Sequence, residues 1–257
     1  SGGGDSGSGI SNGSLPGDDY TDGEPITDND GNSYETVVIE GQTWTTTNLN
    51  VSTYRDGTPI PYISDWDEWA NATTGAYTYA GQDSEAGYGK LYNLLAIIGR
   101  HDNDGATIDK ILAPEGYHIP SDLEWKSLLD IYIVGVPWSF TNANGYNADV
   151  ASVYFKSQTS WDNNGYNESG LNVKNYPIIY SGQAQTNSTS SNFYEVGDTD
   201  TGTRFGTKTL ASYSQTYASL LGVRFGEFEM ETTPVIHHFN SANSLSNSGV
   251  YIRLIKD

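Results

Sequence analysis

The most sustained apolar stretch in this chain, Leu94 to Ile98, covers little more than one helical turn. A membrane-spanning helix needs ~20 apolar residues, so the chain offers none. The other apolar residues come in bursts, such as Tyr176 to Tyr180, Leu220 to Phe228, Val235 to Phe239 and Val250 to Ile255, separated by Asn, Ser, Thr and Gly. Bursts of that length between turn-forming residues read as short strands joined by polar loops. No fixed period recurs, which disfavours a solenoid or a propeller.

The core such strands can share is aromatic, since the 257 residues include 19 Tyr and 6 Trp. Acidity bounds the partners. With 12 Lys and Arg against 32 Asp and Glu, the formal net charge is -20, and no basic stripe exists to displace phosphate counterions. Nucleic acid and anionic lipid are therefore not expected as partners. The chain has no Cys, which removes disulfides, thiol nucleophiles and thiolate metal sites.

The opening SGGGDSGSG has the composition of a flexible linker, whether natural or artificial. Residues 1–29 carry few apolar side chains, namely Ile10, Leu15, Tyr20 and Ile26, and cannot bury enough surface to fold alone. They read as a tether whose four apolar residues anchor an extended segment to a partner. A Ser/Gly/Asp-rich start resembles bacterial lipoproteins just after their acylated Cys, which predicts a lipid anchor upstream as the single membrane attachment. The folded domain is expected over residues 30–257.

Within it, Asp30-Gly31-Asn32 and Glu40-Gly41 are turns around an alternating stretch from Tyr34 to Ile39, so Tyr34 to Trp44 reads as a β-hairpin. In PSDLEWKSLLDIY, Ser121 and Glu124 form a capping box, and Trp125, Leu128, Leu129 and Tyr132 share one helical face. A shorter helix is expected over Asp65 to Ala70 with Ser64 as N-cap. A third covers Tyr92 to Ile98, unless that run is a buried strand.

Five ordered segments, DGNSYETVVIEGQTWTTTNLNVSTYRDGTPIP (30–61), GYGKLYNLLAI (87–97), LAPEGYHIPSDLEWKSL (112–128), TSWDNNGYNESGLNVKNYP (159–177) and GVYIRLIKD (249–257), resemble the Fibrobacter succinogenes major paralogous domain. That family is similar to C-type-lectin-like proteins related to formylglycine-generating enzymes, and occurs on secreted or surface-anchored bacterial proteins. The resemblance implies an α+β, C-type-lectin-like fold, with two main helices against a twisted antiparallel sheet and long loops on one side. It places the hairpin from Tyr34 near the C-terminal strand Gly249 to Lys256. The chain departs from the pattern at Thr45-Thr46-Thr47, where the family has Met-Ala-Glu, and at Leu254, where it has Cys.

No catalytic constellation is visible. His237 and His238, adjacent in a strand, point to opposite faces and cannot chelate one ion together. His118 is expected to satisfy a backbone carbonyl, and Trp44, Trp125 and Trp161 to anchor the core. Asp28-Asn29-Asp30-Gly31-Asn32 and Asp102-Asn103-Asp104-Gly105 begin like calcium loops, but their twelfth positions are Ile39 and Ala113 where a bidentate Glu is needed. No cofactor is expected, calcium being the one metal with any sequence argument. The expectation is a non-catalytic lipoprotein on the outer-membrane surface, an accessory subunit of a membrane protein complex. The alternative is a glycan-binding module with Trp66, Trp69 and Trp138 as ligand-stacking residues. An enzyme has only fold analogy behind it.

Overall fold

The computed structural model describes residues 20–80, 83–84, 87–102, 108–132, 139–140, 146–147, 152–159, 165–174, 176, 178–180, 194–196, 203–214, 217–224, 235–240 and 249–257. It is a mixed α/β structure with mostly antiparallel sheets and few helices. The first strands are β1 (Thr21–Thr27), β2 (Ser33–Ile39) and β3 (Gln42–Thr45). The hairpin between β2 and β3 turns on Glu40 and Gly41, both at positive φ (48° and 81°), the two-residue turn whose twist suits antiparallel strands.

Strand β1 corrects the expected boundary at residue 30. TDGEPIT pairs with β2 from Thr21 opposite Val38 to Thr27 opposite Ser33, with a register shift between Gly23 and Ile26 where Pro25 sits. Pro cannot donate to a ladder, and an edge strand with a bulge is where a sheet tolerates it. The segment folds because β2 supplies the partners its own composition lacks. Ile26 packs against the core, so neither it nor Tyr20 belongs to a free tether. Ile10 and Leu15 lie outside the described residues.

After α1 (Trp66–Ala70), β4 (Tyr77–Thr78) pairs with β5 (Leu91–Tyr92), and α2 (Leu94–Ile98) follows directly. The cap of α1 is Asp65, whose carboxylate accepts from Glu68 N at 3.0 Å; Ser64, the expected cap, lies one residue too early. The run from Tyr92 is strand and then helix. Asn93 marks the switch, its amide oxygen accepting from Ala96 N at 2.9 Å and from Ala76 N at 3.0 Å. Helix α2 ends at Gly99, φ 83°, where a side chain would run into Lys110 O at 2.0 Å, so only glycine fits.

Strand β6 (Tyr117–His118) leads into α3 (Asp122–Tyr132), which is capped as expected: Ser121 Oγ accepts from Glu124 N at 3.2 Å, and Glu124 Oε2 accepts from Ser121 N at 2.7 Å. The remaining elements are β7 (Ser139–Phe140), β8 (Tyr146–Asn147), α4 (Ser152–Phe155), β9 (Ile178–Tyr180), β10 (Tyr194–Val196), β11 (Arg204–Ser214), β12 (Tyr217–Arg224), β13 (Val235–Asn240) and β14 (Ile255–Lys256). One sheet runs β1-β2-β3-β14-β6 and another β11-β12-β13-β8-β7, while β9 and β10 pair separately. Among the described residues only α3 exceeds two turns, so in place of the expected pair of main helices they show one long helix and several short ones.

The C-terminal stretch divides the core. Val250, Ile252 and Leu254 face one apolar cluster with Leu49, Tyr54 and Leu112; Tyr251 and Ile255 face the other, with Trp44, Trp125 and Phe205. A strand's two-residue period produces this split, and burial on both faces explains the nearly continuous apolar sequence. Trp125 joins the two large sheets, its ring 4.8 Å from Trp44 on β3 and 5.4 Å from Phe205 on β11. Arg253 lies in this wall fully buried, with Nη1 donating to Thr45 O at 3.0 Å and its carbon 5.4 Å from the Phe205 ring.

Candidate functional site

Of the three tryptophans expected to stack on a ligand, Trp69 is the one whose side chain the structure describes. Trp69 is fully buried within α1, because its face of that short helix turns inward, and it is corrected to a core residue. Trp66 begins the same helix, and Trp138 lies outside the described residues, as does Trp161. Trp44 and Trp125 are core anchors.

A cleft of about 320 Å³ opens instead between the β2–β3 hairpin region and Ser84, Gly87, Gly89, Asn172, Lys174 and Tyr176. Asn32, Asn48 and Asn50 line it together with Tyr34, Tyr79, Lys174 and Tyr176. These amides are held in fixed orientations. Asn50 Nδ2 donates to Asn32 Oδ1 at 3.2 Å, Asn32 Nδ2 to Asp28 Oδ2 at 2.8 Å, and Asn48 Nδ2 to Tyr88 O at 2.8 Å. Asn48 Oδ1 is buried without a hydrogen-bond partner.

Behind the floor sits a compact polar network. Asp28 is buried and accepts from Asp30 N, Asn32 N and the Tyr34 hydroxyl, while Asn50 N donates to Tyr34 Oη at 3.0 Å. Burial, reinforced by the hydrogen bond to Asp28, pushes the Tyr34 phenol far above its usual range. Lys90 reaches under the floor to Asn50 O at 2.6 Å and Ser52 Oγ at 2.8 Å, with its ammonium 4.6 Å from the Tyr77 ring centroid. Burial holds the Lys90 ammonium below its usual range, and the charges of Asp30 and Asp28 offset only part of that. A network satisfied at this density fixes its members, so the cleft presents a preformed polar surface.

The same network disposes of the first calcium-like loop in its expected form. Asp28 accepts four hydrogen bonds, and Asp30 accepts from Ser52 N and from Thr53 Oγ1 at 2.6 Å, so both carboxylates are turned to protein donors. Residues 103–107, which hold most of the second such loop, lie outside the described residues. Among the described residues no group of three or more His, Cys, Asp or Glu is placed to hold a metal.

His118 stands elsewhere. It was expected to meet a backbone carbonyl, but its Nδ1 lies 2.6 Å from Asp257 Oδ1 and its Nε2 2.8 Å from Glu124 Oε1. The strand pairing of β6 with β14 brings Asp257 alongside, which no local reading of GYHIPSD could supply. Burial pushes the Glu124 carboxyl up, and hydrogen bonds from Ser121 and His118 outweigh it, holding it below its usual range.

Comparison with known families decides the lineage, since residues 37–256 match the family model of the Fibrobacter succinogenes major domain. The chain belongs to that family. Comparisons with curated proteins and with solved structures gave no match. The Fibrobacter succinogenes major domain motifs also build the cleft: Asn32, Asn48 and Asn50 come from the segment at 30–61, Gly87 and Gly89 from that at 87–97, and Asn172, Lys174 and Tyr176 from that at 159–177. Sequence reasoning passed over these residues because Asn and Gly read as turn formers wherever they stand. A usable signal was the doubled amide in Asn48-Leu49-Asn50, two residues that a strand would place on one side.

Proposed function

We propose that this domain is a non-catalytic, surface-displayed binding module that takes a carbohydrate in the cleft beside the β2–β3 hairpin. The observation that carries the reading is the cleft's chemistry. Fixed asparagine amides and hydroxyls suit a ligand rich in hydroxyl groups, and the partly exposed Tyr79 offers an apolar ring beside them, with the buried Tyr176 behind the wall. Cleaving a glycoside takes two carboxyl groups across the bond, and the described lining residues include Lys174 but no Asp, Glu or His. Binding rather than turnover is the reading that composition supports.

We read the fold as C-type-lectin-like, supported by a sheet in which the hairpin of β2 and β3 meets β14 from the far end of the sequence. Display at the outer-membrane surface through an upstream lipid anchor is part of the proposal and rests on the linker-like opening residues. The accessory-subunit reading leaned on four apolar anchors in residues 1–29. With Ile26 folded against the core and Tyr20 against Gly170, that support shrinks, which puts carbohydrate binding first.

A glycan array probed with the full chain tests the proposal. Binding that Tyr79→Ala weakens by about tenfold, or ~1.4 kcal/mol, is the expected result. Silence across a broad array, with co-purification of a membrane complex from cells, would instead favour the accessory-subunit reading.

A further inference from the structure

We infer that the cleft seats an internal stretch of a linear polysaccharide, with Tyr62 and Tyr88 as stacking platforms for sugar units lying outside it. The inference rests on carbohydrate being the ligand of the cleft.

Of the tyrosines that line the cleft, Tyr79 and Tyr176 each touch a further tyrosine that does not line it. Tyr79 lies 5.6 Å from Tyr62, with the planes at 57°, and Tyr176 lies 5.6 Å from Tyr88, with the planes at 64°. Both outer rings face solvent, Tyr62 being 46% and Tyr88 36% exposed. Exposed aromatic rings therefore stand just outside the cleft, one next to Tyr79 and one next to the buried Tyr176.

Neither outer ring hangs free. Tyr62 also packs 5.5 Å from Tyr77, whose own ring carries the Lys90 ammonium, and the backbone of Tyr62 bridges that of Tyr77. A ring held this way can stack without losing much conformational freedom, which is what makes tyrosine effective in binding surfaces. At about 320 Å³ the cleft is at the lower end of the ~300–1,000 Å³ usual for small-molecule sites. A site for a single terminal sugar needs nothing beyond its walls. A polymer running through needs flat contacts outside them, and the outer tyrosines provide these.

The test uses the full chain in affinity gels containing soluble xylan, mixed-linkage glucan, galactan or amylose, followed by calorimetric titration with oligomers of increasing length from the polymer that retards it. Affinity should rise about tenfold from the dimer to the hexamer. Tyr62→Ala and Tyr88→Ala should each remove most of that gain while leaving dimer affinity unchanged and the domain folded by circular dichroism, and Tyr62→Phe should keep it. Equal affinity for short and long oligomers would sink the inference and leave the cleft as a site for a short glycan. Absence of binding to every polymer and to their monosaccharides would remove both the inference and the carbohydrate reading beneath it. Should Tyr62→Ala abolish capture of a protein while oligosaccharide affinity stays length-independent, the outer rings belong to a protein interface and the inference fails.

Discussion

The ring of Tyr20 lies against the α-carbon of Gly170, so close that a methyl group added there would sit 2.6 Å from the ring and 2.9 Å from Val37. Gly170 is also at φ 68°, where a side chain strains the backbone. Gly170→Ala combines the two effects and should cost roughly 2–3 kcal/mol in urea denaturation. Tyr20→Ala should cost less, and combining it with Gly170→Ala should recover the part due to the collision. A neutral Gly170→Ala would mean that the ring does not dock there.

Loss of the α3 cap through Ser121→Ala should lower stability by about 1 kcal/mol. Trp125→Ala should cost more, ~3–5 kcal/mol, because its ring is fully buried between Trp44 and Phe205. Thermal melting of the two variants checks both values, and the order matters most. A larger loss at Ser121 than at Trp125 would contradict the packing described for α3.

Acid should loosen the junction of β6, α3 and β14. The Glu124 carboxyl is held below its usual range, so the stability it contributes is present above its unfolded value near ~4.3 and is lost as pH falls through the lower folded value. Glu124→Gln removes that titration and should flatten the decline of stability below about pH 4 relative to the wild type. Parallel curves for the two proteins would show that other carboxylates govern the acid limb.

Alkali should unfold the domain cooperatively. Burial raises the phenols of Tyr34, Tyr54 and Tyr92 above the unfolded value of about 10. Each therefore contributes stability that is full below that pH and is lost as pH climbs toward the folded value. Arg253, pulled down to about 10 by burial, opposes them with one group. Phenolate absorbance and circular dichroism followed together should change in a single step above about pH 10. Smooth ionisation at about pH 10 with the fold intact would place these hydroxyls in contact with water.

Arg253 has no partner for Nε or Nη2, although it is fully buried. Replacing a buried charge with an apolar side chain of similar length is often neutral or stabilising. Arg253→Met should thus stay within about 1 kcal/mol of the wild type, whereas Arg253→Ala, which opens a cavity, should lose ~2–5 kcal/mol. A collapse of the Met variant would show that the bond to Thr45 O is indispensable.

Helix α3 and the β2–β3 hairpin were legible because their determinants are local: a cap three residues from its partner, a turn of Glu40 and Gly41, one apolar face. Strand β1 was not, since TDGEPIT contains Gly and Pro and owes its conformation to β2. Nor was β11, the long strand at Arg204–Ser214, whose large apolar residues are few and widely spaced. The cleft was hidden for a related reason. Asn32 and Asn50 are brought together by the turn at Asp28 and the path through Leu49, which bonds to Ile252 O at 2.8 Å, a contact made across the length of the chain. The binding residues sought in exposed tryptophans were sought by residue type, and Trp69 shows how readily such a side chain is spent on the core.

The stretch that separates the two apolar clusters is made after every other part of the sheet it completes. Strands β3 and β6 are synthesised long before residues 250–256, yet in the finished sheet they meet only through β14, at Ile255 between Trp44 and His118. Until that segment leaves the ribosome, the sheet has a slot in its middle and both cores have an open wall. Nascent chains of this domain therefore remain incompletely closed until residues 250–256 emerge, and the collapse of both cores is timed by the arrival of that short segment.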